Sequence, residues 1–357
     1  MIDCILQDIF INTEIKEWIY YKGPFLQNDI VTIIKIKTDI IRKGSLPEDL
    51  KYLELWGDTE ISEIEKGVLP EGLKYLNIWR DNTISKIEKG VLSEGLKTLI
   101  LGGYNTISKI EKRVLPEGLI HLEILGNNTI SKIEKGVLPE GLQYFEVAGY
   151  NKISKIEKDI LPRSLEYLKI IACNNISNLE KGVLPEGLKY LILGGYNNIS
   201  KIEKGVLPEG LVFLDIQGRN TISKIEKGVL PESLEHLHIW GYNNISKIEK
   251  GVLPKGLKYL TIGGKNTISK IEKGVLPKGL ERLEISGRNN TFSKLEKGVL
   301  PGGLKYLNLS GCKISKIEKG VLPKGLKRLT MYANKLISWE QWESLKRQYP
   351  KVRFVYE

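Results

Sequence analysis

The dipeptide Leu-Pro returns along most of this 357-residue chain at a fixed step, and that step constrains the fold more than any other feature. It falls at Leu46, Leu69, Leu115, Leu138, Leu161, Leu184, Leu207, Leu230, Leu253, Leu276, Leu300 and Leu322, with Leu92-Ser93 filling the one gap. The spacing is 23 residues from Leu46 to Leu276, then 24 and 22. The repeat reads LP-x-G-L-x-x-L-x-I-x-G-x-N-x-I-S-K-I-E-K-G-V. A repeat this short cannot enclose its own apolar face, whereas stacked repeats bury each leucine column against the same column of their neighbours. Chain length alone would suggest two domains. The periodicity implies instead one array with a short segment at each end.

Within L-x-x-L-x-I the last apolar residues alternate with polar ones, as in a half-buried strand. One strand per repeat is therefore expected around Tyr52–Trp56 and at each equivalent position. Running the same way, these strands make a parallel sheet with a spacing of about 4.8 Å. The return segment, I-S-K-I-E-K-G-V, places apolar residues at i, i+3 and i+7, which suits a single helical or 3₁₀ turn. The glycine after Glu-Lys (Gly67, Gly90, Gly136) has the place of a left-handed residue that ends such a turn, and Arg113 and Asp159 stand there in two repeats. An asparagine follows the strand-leading leucine by nine residues in ten successive repeats, from Asn82 to Asn289. A buried amide there is expected to bond the loop backbone of its own and the next repeat.

These residues resemble a leucine-rich repeat: L-x-x-L-x-I, a polar loop with asparagine, then a return segment. The LP-x-G/S-L start is similar to the FNIP subtype, familiar from social amoebae and from giant DNA viruses of amoebae. The family's Phe-Asn-x-Pro loop becomes forms such as Tyr104-Asn105-Thr106-Ile107 here. The resemblance covers about residues 46–333. It implies a leucine-rich repeat solenoid of the α/β class, a right-handed superhelix with a parallel β-sheet on its concave face and short 3₁₀ or helical turns on its convex face. It also implies protein binding rather than chemistry, and many FNIP proteins carry an N-terminal F-box that recruits ubiquitin-ligase machinery.

The expected organisation is an N-terminal cap over 1–45, about thirteen repeats over 46–333, and a C-terminal cap over 334–357. In the first segment Thr13 is placed to start a helix with Ile15, Trp18 and Ile19 on one face, and Ile30–Ile36 reads as a strand. In the last, Ser338 and Gln341 have capping-box spacing. A helix with Trp339, Trp342 and Leu345 on one face, closed by Pro350, then leads to a short strand in Val352–Tyr356.

If the strands are placed correctly, one column facing outward reads Tyr52, Tyr75, Thr98, His121, Tyr144, Tyr167, Tyr190, Phe213, His236, Tyr259, Arg282, Tyr306, Arg328. Tyrosine offers a large, fairly rigid contact area with a hydrogen-bonding tip, which suits a binding face; stacked rings also brace neighbouring strands. Two columns further along lie Trp56, Trp79, Trp240 and Tyr332 among small residues. The residues expected to hold a protein or peptide partner are Tyr52, Trp56, Tyr75, Trp79, Tyr144, Tyr167, Tyr190, His236, Trp240 and Tyr259. Tyr104, Tyr150, Tyr196 and Tyr242 recur every second repeat beside them, a period of 46.

No phosphate loop, nucleophile elbow, zinc-protease helix or paired CxxC occurs, so no enzymatic activity, cofactor or metal is expected. His236, His238 and Asp215 share one sheet face but offer too few ligands for a metal site. No apolar run reaches a membrane span, of roughly 18 residues. The N-terminal MIDCILQDIF has acids where an export signal needs bases, and the three cysteines lie far apart. An intracellular, cytoplasmic setting is expected, the host cytoplasm if the source is viral. Net charge is +11, unevenly spread: residues 253–333 hold 17 lysines and arginines against 5 acids, while the first repeat, 46–68, holds 2 against 7. The basic end suggests an alternative role in binding an acidic partner or nucleic acid, the latter disfavoured because most return lysines alternate with glutamate. A second alternative is a ubiquitin-ligase adaptor whose N-terminal segment does the recruiting. Nothing in the repeat specifies an oligomeric state.

Overall fold

Each L-x-x-L-x-I segment supplies one short strand, and successive strands pair in parallel with their central leucines opposite one another. The computed structural model describes residues 15–21, 31–36, 40–55, 61–79, 82–172, 176–287, 291–332 and 336–356. The chain forms two compact units, Met1–Asn175 and Ile176–Glu357.

The first unit contains β1 (Ile15–Tyr21), β2 (Val31–Ile36), β3 (Ile40–Ile41), β4 (Tyr52–Leu55), β5 (Glu63–Ile64), β6 (Tyr75–Ile78), β7 (Thr98–Leu101), β8 (His121–Ile124), β9 (Tyr144–Gly149) and β10 (Tyr167–Ala172). β1 and β2 pair antiparallel, β2 lies parallel to β4, and β6 to β10 follow in sequence order. β3 and β5 form a separate two-stranded pair. The second unit contains β11 (Tyr190–Gly195), β12 (Phe213–Ile216), β13 (His236–Ile239), β14 (Tyr259–Ile262), β15 (Arg282–Ile285), β16 (Tyr306–Asn308), β17 (Arg328–Thr330), α1 (Trp339–Gln348) and β18 (Arg353–Val355), its strands again parallel and in order. The 24- and 22-residue steps do not disturb the ladder: Leu283 pairs with Leu307 and Leu307 with Leu329, so the odd residues are absorbed outside the strands.

The core follows from the alternation. Leu53, Leu76, Leu99 and Leu122 in the first unit, and Leu237, Leu260 and Leu329 in the second, are wholly buried, as are the isoleucines that open the return segments. Intervening strand residues lie on the open face, mostly half-buried.

The α/β class is overturned by the return segments. None of them contains a helical or 3₁₀ turn among the described residues, and α1 is the one helix there. Each unit is a nearly all-β stacked-coil solenoid. The reason lies in the backbone bonds. Ile84 and Val91 do face the core, as the i, i+3, i+7 spacing requires. The carbonyl of Ile84, however, accepts from Thr106 N of the next coil at 2.9 Å, and only one local bond closes the segment, Val91 N to Glu88 O at 3.3 Å. A helix needs its carbonyls for its own N–H groups four residues on. Here the first of them bonds sideways to the next coil, and the chain turns once, at a glycine in the left-handed region (Gly90, φ 78°).

The buried asparagines bond backwards rather than forwards. Asn128 donates to Leu125 O of its own coil at 2.8 Å and accepts from Ile107 N of the preceding coil at 2.9 Å. Asn151, Asn197, Asn220, Asn243 and Asn266 repeat the arrangement. Asn82 and Asn105 differ: Asn82 donates to Gly102 O of the following coil at 3.0 Å, and Asn105 donates to the same oxygen of its own coil at 2.6 Å while its Oδ1 accepts from no described group. Asn174 and Asn289 lie outside the described residues.

The ends also depart from expectation in part. Ile15–Tyr21 is a strand, not a helix: IKEWIYY is rich in β-branched and aromatic residues and finds a partner edge in β2. Thr13 lies outside the described residues. At the other end Ser338 caps α1, its Oγ accepting from Gln341 N at 3.3 Å. Trp342 and Leu345 are buried but Trp339 is exposed, and Trp342 stacks on Tyr356 at 4.5 Å.

Candidate partner-binding face

Parallel in-register pairing places the same position of every coil side by side, so the aromatic column becomes a row of rings within each unit. In the first unit Tyr52 and Tyr75 are tilted at 6.3 Å, and His121, Tyr144 and Tyr167 form a continuous stack with centroids 3.9 and 4.1 Å apart. In the second, Tyr190 and Phe213 lie at 6.1 Å, Phe213 and His236 at 5.6 Å, and His236 stacks on Tyr259 at 4.3 Å. Strand spacing sets these contacts. The rings stay partly open to solvent: Tyr190 is exposed and the other ring residues of the row up to Tyr259 are half-buried. The row therefore braces the sheet and presents its ring edges outward.

The next column supplies charge. Tyr144 donates to Glu146 Oε2 at 2.9 Å, and Lys169 Nζ lies 2.7 Å from Glu146 Oε1, so this buried carboxylate is paired twice. Burial, with hydrogen bonds to Tyr167 and Glu146, holds the Tyr144 phenol well above its ordinary value. Burial and the Glu54 carboxylate push Tyr75 up to about 12. His121 Nε2 sits 2.6 Å from Glu123 Oε1. In the second unit Asp215 is buried, with Gln217 Nε2 donating to Oδ2 at 2.6 Å, while no described group bonds Oδ1. Burial raises the Asp215 carboxyl against the opposing pull of Gln217 and His238, and burial lowers His236. No group of three or more His, Cys, Asp or Glu among the described residues is placed to hold a metal ion.

The indoles have a seat that the sequence states without explaining. Trp79 lies over Gly102 and Trp240 over Gly263, each the glycine 23 residues on, where a Cβ would strike the ring. One indole face is thus packed on backbone, and the residues remain about 40% exposed, 38% for Trp79 and 43% for Trp240. Trp56 lies outside the described residues. The structure groups Tyr52, Tyr75, Trp79, Tyr144 and Tyr167 on the open face of the first unit, and Tyr190, His236, Trp240 and Tyr259 on that of the second.

Two features were not among the expected site residues. The outer tyrosines are more exposed than the row itself, Tyr104 at 56% and Tyr150 at 58%. In the second unit the alternate coils supply cations to them: Arg219 lies 4.2 Å over Tyr196, and Lys265 lies 4.0 Å over Tyr242. Further on, Arg282, Tyr306, Arg328 and Tyr332 line a depression of about 260 Å³ on the open face. The signal was present in the column itself, where guanidinium and ring alternate.

No described helix is long and apolar enough to cross a membrane. Among solved structures the chain is similar to CroV588, a circular leucine-rich repeat protein, at 29% identity and a TM-score of 0.64 over 82% of this chain; it spans only 45% of CroV588. It is also similar to the leucine-rich repeat protein LIC12759 of Leptospira interrogans, at 21% identity and TM-score 0.66 over 90% of this chain and 88% of that one. TLR13, solved with a single-stranded RNA, gives 19% identity and TM-score 0.62 over 86% of this chain and 46% of that one. The last two likenesses concern the fold alone. No curated protein matches the chain. The sequence profile of the FNIP repeat matches residues 39–80, 85–127, 131–173, 175–218, 223–265, 266–312 and 290–333, each segment about two coils long like the 46-residue period of the outer tyrosines. With nearly the whole coil array covered in this way, the chain belongs to the FNIP repeat family.

Proposed function

We propose that the open sheet face binds a protein or peptide without catalysing a reaction, with its aromatic side chains as anchors. The observation that carries this reading is the row of stacked rings left half-open to solvent beside exposed indoles. Rings that only braced strands would gain by being covered, whereas large rigid rings held in place lose little entropy when a partner covers them. In the first unit the anchors are Tyr52, Tyr75, Trp79, Tyr144 and Tyr167, with Trp56 kept as part of the proposal. In the second they are Tyr190, His236, Trp240 and Tyr259. The fold likeness to CroV588 and LIC12759 is compatible with such a scaffold. A cytoplasmic site of action, in a virus-infected or amoebal cell, belongs to the same proposal and rests on the sequence.

The ubiquitin-adaptor alternative has less support, because residues 15–21 and 31–36 are strands of the first unit's sheet rather than helices. Affinity capture from native cells with the parent chain, repeated with Trp79→Ala and Trp240→Ala, tests the anchors. Truncating a true anchor costs about 2 kcal/mol or more, roughly a thirtyfold loss of affinity. Equal capture of the same proteins by folded variants would remove both indoles from the reading.

A further inference from the structure

The basic excess of residues 253–333 has a structural origin on the side of the coils away from the open face. Each coil there makes two turns, Glu-Lys-Gly-Val and Pro-x-Gly-Leu. In the second unit the lysine of the first turn lays its stem across the turn glycine of the following coil: Lys204 over Gly228, Lys250 over Gly274, Lys297 over Gly320. The result is a ladder of exposed ammonium groups at the coil spacing, about 4.8 Å. In the earlier coils of this unit the x residue of the second turn is Glu186, Glu209 or Glu232, an acid column beside the basic one. From Lys255 onward it becomes Lys255, Lys278 and Lys324, with Gly302 between, and the acid column is gone.

Some other return-segment lysines are engaged, as in Lys270–Glu272 at 3.4 Å and Lys294–Glu296 at 3.2 Å. None of Lys297, Lys319, Lys324 and Lys351 forms an ion pair among the described residues. These four surround a cavity of about 720 Å³ between the last turns and the end of α1. Its apolar lining comes from Leu322, Tyr349, Pro350 and Val352, and no carboxylate among the described residues lines it. Tyr349 OH is held by Gly320 N at 3.1 Å, which fixes the ring as a wall.

We propose that this lysine-rimmed cavity is a second docking site, separate from the open face, for an acidic peptide segment that carries an apolar side chain. Four unpaired ammonium groups call for several anionic groups, and the apolar floor calls for a side chain that a bare polyanion lacks. An extended peptide presents same-side residues every 6.6–6.8 Å or so, a mismatch that long lysine stems absorb. A single-stranded nucleic acid would find one aromatic side chain among the described lining residues, Tyr349, on which to stack its bases.

The test uses the full chain and four labelled probes in fluorescence anisotropy: a short Glu/Asp peptide with a central Leu-Phe, its Gln/Asn counterpart, the same acidic peptide with Ser-Ser at the centre, and oligo-dT. The acidic apolar peptide should bind more tightly as salt is lowered and lose about tenfold or more in affinity on Lys297→Glu with Lys319→Glu. Reversal of Lys181 and Lys204, in the same column but beside Glu186 and Glu209, should change it by less than about twofold. Trp240→Ala should leave it unchanged, so the outcome is independent of the open face. Equal binding of the Ser-Ser peptide, tighter binding of oligo-dT, or indifference to the Lys297 and Lys319 reversals would each overturn the proposal.

Discussion

Arg113 and Asp159 hold the turn position that is glycine in every other described coil, at φ 63° and 60° where the glycines lie near 80°. Left-handed backbone costs an ordinary L-residue about 1–2 kcal/mol, and glycine returns about half of that through its freer unfolded state. Arg113→Gly should therefore stabilise the chain by about 0.5–1 kcal/mol in urea unfolding. Asp159→Gly should give much less, because Asp tolerates this region and Asp159 also pairs with Lys135 at 3.4 Å. Equal gains would place the effect outside the turn. Asp215 makes a second case. Burial raises its carboxyl, so folding favours the protonated form. That contribution is fully present below the ordinary Asp value of 3.8 and is lost as pH rises through the raised one. Asp215→Asn keeps the acceptor for Gln217 and carries no charge, so it should be more stable than the parent near pH 7 and no more stable near pH 3. A gain of the same size at both values would remove the protonation argument.

Two glycine columns look alike along the repeat and behave oppositely in the folded coil. In the loop after the strand, Gly218 has φ 99° and packs so closely on Gly195 that a Cβ would strike its carbonyl, while its own carbonyl accepts from Tyr242 N at 2.9 Å. In the Pro-x-Gly-Leu turn, Gly256 has no positive φ, and the nearest atom to a Cβ is Glu232 O at 3.4 Å. Gly218→Ala should cost about 3 kcal/mol or more through strain and lost coil contact, and Gly256→Ala should be neutral or stabilising by up to about 1 kcal/mol. Thermal melts of the two variants decide it; similar losses would mean that close backbone packing is not what the loop glycines provide. The sequence does not separate the columns, since Arg80 and Ala172 interrupt the first just as Asp49, Ser164 and Ser233 interrupt the second. What it does carry is whatever repeats at the coil step. The strand and its alternation, the buried asparagine and the left-handed turn are all legible because each is decided within one coil and its copy. The return segment was misread because three apolar residues in eight fit a helical turn and an extended run equally well, and the choice depends on bonds to the adjacent coil. In the candidate site the aromatic row was legible for the same reason as the strands. The glycine seat of Trp79 and Trp240 needed the neighbour at +23 to be read together with the indole.

Within the second unit each coil pairs only with the coils beside it, so its stability should approach a sum of coil and nearest-neighbour terms. Removing residues 207–229 joins Val206 to Leu230 and brings β11 beside β13, with Leu191 opposite Leu237 and the asparagine column intact. The shortened chain should fold and unfold cooperatively with a smaller urea m-value, at a cost of about 1–3 kcal/mol for the residues lost. Side-chain contacts predict a specific local price: Tyr196 loses Arg219 and meets Tyr242, so an exposed cation–π contact of about 0.5–1 kcal/mol disappears with the coil. Removing residues 207–218 instead takes out the turn and the whole of β12 and leaves the loop and return segment of that coil, residues 219–229, without a strand. That remnant then has no strand of its own to hold it in register with its neighbours, and Ile222, Ile225 and Val229, buried in the intact coil, lose the leucines they pack with. That variant should show exposed apolar surface by dye binding and should aggregate. If both deletions gave the same loss of cooperative unfolding, the coils would not be exchangeable neighbours, and the fold would depend on contacts reaching further than one coil.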